Sequence, residues 1–74
     1  MKFVKIENLQ SIMGISAEEL QCSGLKTKLI EIVENYNLKP KRQELAKALD
    51  ALKEEQTDTY FKTAIERLKT FMLL

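Results

Sequence analysis

Residues 23–49, SGLKTKLIEIVENYNLKPKRQELAKAL, decide the fold of this chain, because apolar spacing, backbone chemistry and charge all change together inside them. Leu25, Leu29, Ile32, Val33 and Tyr36 fall at i, i+4, i+7, i+8 and i+11, which sets them in one stripe down one face of an α-helix. Ser23 is the expected N-cap of that helix and Asn37 its expected terminator. Lys39 precedes a proline and is pushed toward extended φ/ψ. Pro40 has the fixed φ that suits the first turn of a following helix, in which Leu45, Ala48, Leu49 and Leu52 turn inward. The stretch therefore reads as helix, short basic extension at Asn37 to Arg42, and helix.

Working outward toward the N-terminus, Phe3, Ile6, Leu9, Ile12 and Met13 recur at helical intervals and predict a helix over about residues 2–13, stopped by Gly14. Phe3, Val4 and Ile6 also allow an extended start over the first six residues. Ser16 and Glu19 have the spacing of a capping box, in which each side chain satisfies the other residue's backbone N–H. The short helix it opens is interrupted at Cys22-Ser23-Gly24. Toward the C-terminus the fourth helix fades in Glu54-Glu55-Gln56. Thr57 or Asp58 then caps a last helix with Tyr60, Phe61, Ala64, Ile65, Leu68, Phe71 and Met72 on its apolar face. The fold expected is all-α, a compact bundle of four to five short helices around a helix-extension-helix core. Internal repeats, low-complexity tracts and a Gly/Ser linker are absent, so residues 1–74 form one domain.

A chain of 74 residues buries only about 60% of its unfolded surface. Its stability is then marginal or shared with a partner. Hydrophobic residues at 45% and charged residues at 31% are ordinary for a folded domain. A net charge of +1 gives no global attraction to nucleic acid or anionic lipid, so any such attraction must arise locally. One cysteine and no histidine leave no internal disulfide, no usual metal-ligand cluster and no imidazole base. Cys22 is expected to be a small buried apolar residue. Adjacent carboxylates at Glu18/Glu19 and Glu54/Glu55 diverge on a helix, and two glycines cannot make a phosphate loop. These features predict no enzyme, no cofactor, no metal and no small-molecule substrate. No apolar run reaches the length of a membrane span, and charges interrupt MKFVKIENLQ too early for a signal peptide. The expectation is an intracellular protein, cytoplasmic or nuclear, without membrane attachment.

Two surfaces are candidates for function. The first is basic: Lys26, Lys28, Lys39, Lys41 and Arg42 oppose only Glu31 and Glu34 between residues 26 and 42, and Lys47 extends the set. Cations crowded at a helix N-terminus suit phosphate, with counterion release adding to the binding; a solvated turn is the plain alternative. The second is apolar: Phe71-Met72-Leu73-Leu74 is more than one helix face can bury, and Phe3 and Tyr60 add to it. That surface predicts a homodimer or docking on a larger protein partner through Phe3, Tyr60, Phe71, Leu73 and Leu74, since association is one way for a small domain to enlarge its core.

Leu25-Lys26, Leu29, Asn37-Leu38-Lys39-Pro40-Lys41-Arg42, Leu45 and Ala48-Leu49 together resemble the SAP type of helix-extension-helix domain, over about residues 20–52. The resemblance implies duplex DNA binding, with Lys28, Lys39, Lys41 and Arg42 near phosphates. Asn37 and Pro40 stand where that family usually carries a linker glycine and a small or polar turn. Leu9, Ile12, Gly14 and Ile15 are also similar to the opening of a helix-hairpin-helix motif, with Ser16 in place of its second glycine. An ordinary helix stop at Gly14 is the alternative.

Overall fold

The computed structural model describes residues 4–22 and 24–74. Among them the chain is all-α, with a 3₁₀ turn at Ile6–Asn8 and helices α1 (Leu9–Met13), α2 (Ala17–Cys22), α3 (Leu25–Leu38), α4 (Arg42–Glu54) and α5 (Thr59–Leu73). The expected bundle of short helices is what forms. Phe3 and the expected cap Ser23 lie outside the described residues.

The first helix is shorter than its periodicity predicts. Val4 and Lys5 are not helical, and the chain enters through the 3₁₀ turn. The physical reason lies in burial, for Val4 is only 2% exposed and its carbonyl accepts from Asn37 Nδ2 at 3.0 Å. That bond diverts the carbonyl from any helical ladder. Gly14 ends α1 at φ +72°, where its N–H donates to the Gln10 carbonyl at 2.8 Å. The capping box forms as expected: Glu19 N donates to Ser16 Oγ at 3.2 Å, and Ser16 N donates back to Glu19 Oε1 at 3.3 Å.

Two details at the extension differ from expectation. Asn37 does not terminate α3, which runs on to Leu38. Its amide side chain is drawn sideways to Val4 and so leaves the backbone helical. Pro40 precedes α4 by two residues instead of standing in its first turn, and Lys41 is the N-cap, with φ −111° and ψ 108°. Lys39 at φ −135° and ψ 88° has left the helical region, as its place before a proline demands. Asp58, not Thr57, caps α5, its carboxylate accepting from Tyr60 N at 2.9 Å.

Ion pairs show the directions in which the helices run. Lys28 at the start of α3 meets Glu55 just past the end of α4 at 3.2 Å, so α4 returns along α3. Lys53 meets Glu66 at 3.1 Å and Asp50 meets Lys69 at 2.9 Å, so α5 returns along α4. The Asp50 carboxylate, as hydrogen-bond acceptor, raises the Lys69 pKa against a smaller opposing effect of desolvation. Helix α5 packs on both α4 and α1, while α3 packs on α2 and α4. The core collects Leu9 and Met13, Leu20, then Leu25, Leu29, Val33 and Tyr36, then Leu45, Leu49 and Leu52, and last Ala64, Ile65, Leu68 and Met72. In the last helix Met72 closes the core and Phe71 packs at its edge, half-buried.

The two glycines share φ +72° but not surroundings: a Cβ on Gly14 would stand 2.6 Å from Arg67 Nη1, while one on Gly24 would meet nothing within 4 Å. Replacing either by alanine is expected to cost about 1–2 kcal/mol for the left-handed conformation. Gly14→Ala must also displace the Arg67 guanidinium, the far end of an exposed flexible side chain, at little cost. Urea unfolding should therefore lower the two variants to a similar degree; a much larger loss for Gly14→Ala would show that Arg67 is fixed against that turn.

Candidate functional site

The basic candidates do not form one corner. Lys26 and Lys28 stand in the first turn of α3, and Lys39 and Lys41 follow its last residue. At about 1.5 Å per helical residue the two groups are about 20 Å apart along the axis. Lys47 lies about 9 Å into α4 on the same arithmetic. Sequence proximity across the extension concealed this, because the apparent cluster is the two ends of one helix.

Half of the six cations are also engaged by their own chain. Lys28 is paired with Glu55, and Lys41 with Glu44 at 3.7 Å. Arg42 Nη2 donates to the Leu73 carbonyl at 3.0 Å, a bond that ties the start of α4 to the end of α5. Exposed pairs of this kind contribute about 0–1 kcal/mol, enough to orient a side chain and little more. Lys26, Lys39 and Lys47 have no ion-pair partner among the described residues.

What the structure does bring together at the extension is an open groove between the end of α3 and the start of α4, with a volume of about 520 Å³. Ile32, Tyr36, Leu38 and Lys39 line it from one side, and Lys41, Glu44, Leu45 and Ala48 from the other. Leu38 is 80% exposed, the most exposed large apolar side chain among the described residues. Helical geometry explains its exposure: two residues past Tyr36, it falls off the buried stripe, and the chain then leaves the helix before another turn can cover it. Tyr36 is 5% exposed, and its hydroxyl has no hydrogen-bond partner among the described residues. Sequence reasoning counted Tyr36 as core and missed Leu38 as a surface residue. The available signal was the break in the i, i+4, i+7 register.

The apolar candidates at the chain end are spread differently. Leu74 is exposed, Phe71 and Leu73 are half-buried against the core, and Phe71 and Leu74 border a second, shallower depression beside Ile12 on the outer face of α5. Tyr60 is exposed, yet its hydroxyl lies 3.3 Å from Glu19 Oε1 and 3.5 Å from the Gly14 carbonyl, and its ring meets Phe61 edge-on. It holds the α1–α2 turn to the start of α5. Cys22 is exposed, contrary to the expectation of a buried residue. Leu20 takes the buried position of α2 and leaves Cys22 on its outer side.

Among the described residues, no group of three or more acidic, thiol or imidazole side chains could hold a metal ion, and no helix is long and apolar enough to cross a membrane. Compared with known proteins, the chain matches no family model, no curated protein and no solved structure.

The Tyr60 contact has a pH signature. Partial desolvation first, and then the Glu19 carboxylate, raise the phenol pKa above its ordinary 10.0. A raised folded-state value means that the contact's contribution is complete below the unfolded phenol's pKa and is lost as pH rises through the folded one. Glu19→Gln should bring the Tyr60 titration, followed by ultraviolet absorbance with Tyr36→Phe as background, back toward the ordinary value. An unchanged titration would mean that Glu19 does not govern the phenol.

Proposed function

We propose that this chain is a non-enzymatic protein-docking module that receives a partner in the groove between α3 and α4, with Leu38 as its anchor. The observation that carries this reading is the 80% exposure of Leu38 on an open groove whose other apolar members are half-buried, as Ile32 and Ala48 are, or buried, as Tyr36 and Leu45 are. A domain this small places nearly all its large apolar side chains in the core, so one left standing in a groove marks a contact surface. Docking also fits the basic side chains better than DNA association does. Lys28, Lys41 and Arg42, three of the cations a DNA reader would aim at phosphates, are turned to partners within the chain.

The test is a photoreactive phenylalanine analogue at position 38, with the same analogue at Thr27 as a control on the far end of α3. The partner protein recovered at position 38 alone is then purified and its binary complex measured. Leu38→Asp should weaken that complex at least tenfold and leave thermal unfolding nearly unchanged, because an exposed leucine contributes little to the core. The reading fails if Leu38→Asp leaves the complex intact. It also fails if the wild type instead binds a short DNA duplex at about 50 mM salt and loses that binding when Lys39, Lys41 and Arg42 are reversed to Glu.

A further inference from the structure

Resting on the docking reading, we infer that the partner's segment is an acidic amphipathic helix, which sets an apolar side chain against Leu38 and Ile32 and a carboxylate toward the Lys39 end of the α3–α4 groove. Two observations lead there. The groove lies between two helices that run antiparallel, so it is straight, and from Ile32 to Lys39 it is about 10 Å long, close to two turns of a helix. Straight grooves of this length take a helix by its i, i+3, i+4 side chains.

Charge chooses the sign of the occupant. The groove is lined by Lys39 and Lys41 against one carboxylate, Glu44, which is already paired with Lys41. Lys39 is exposed and has no ion-pair partner among the described residues, so it is the cation left for an incoming group. Arg42 is committed to the Leu73 carbonyl, and Lys47 is not among the groove's lining residues. The N-cap of α4 is Lys41, whose side chain makes no capping bond, so the first amides of that helix add their partial positive charge at the same end.

Lys39 is a donor only, so an anionic acceptor answers it and a basic segment does not.

The experiment uses the whole chain, ¹⁵N-labelled, titrated with a helical peptide built from Leu, Ala and Glu, and with the same peptide carrying Lys for each Glu. The Glu peptide should shift the amides of Ile32, Leu38 and Ala48 and bind at least ten times more tightly than the Lys peptide. Lys39→Glu should remove that preference. Equal binding of both peptides, shifts confined to α5, or no binding by the folded chain overturns the inference. If that happens while the position-38 complex still depends on Leu38, docking stands and only the acidic character of the partner falls.

Discussion

The burial of one stripe on α5, Ala64, Ile65, Leu68 and Met72, against α4 on one side and α1 on the other is the constraint on which the rest of this structure depends. Each large apolar side chain fully buried there is stabilising by about 1.5–3 kcal/mol. The four ion pairs between side chains among the described residues are all partly or largely exposed and contribute about 0–1 kcal/mol apiece. Apolar contact therefore holds the helices together, and the charges mark their direction and register. Lys53 with Glu66 and Asp50 with Lys69 do this for α4 and α5.

From that packing follows the arrangement of the ends. With α5 in place, its first turn reaches the α1–α2 turn through Tyr60, and Arg67 rests over Gly14, where no Cβ intervenes. Its last turn reaches the start of α4, where Arg42 meets the Leu73 carbonyl. The extension is thus held on the α4 side by the end of α5 and on the α3 side by Asn37 bound to Val4. One long-range hydrogen bond thus anchors the helix end on each side of the groove.

Much of the fold was legible along the chain because it depends on local chemistry. The Ser16–Glu19 box, the Gly14 stop, the Asp58 cap and the extended Lys39 before Pro40 each require only residues within a few positions of one another. Two of the misreadings share a long-range cause. Val4 left the helical pattern and α3 continued past Asn37 because these two residues, 33 positions apart, bond to each other. Periodicity cannot register such a bond. Cys22 was placed inside by residue type, yet a helix of six residues buries one side chain deeply, and Leu20 has that position.

The sequence by itself determined the all-α class, a bundle of four to five short helices and a joint near Pro40, since apolar spacing, caps and proline act over one or two turns. Tertiary structure alone decided what that joint presents. It turned Lys28 and Arg42 toward distant groups of their own chain, Glu55 and the Leu73 carbonyl. It left Leu38 standing on an open groove between α3 and α4. Charge along a chain is a one-dimensional quantity, whereas a binding surface depends on which side chains share a face once the helices have folded back on one another.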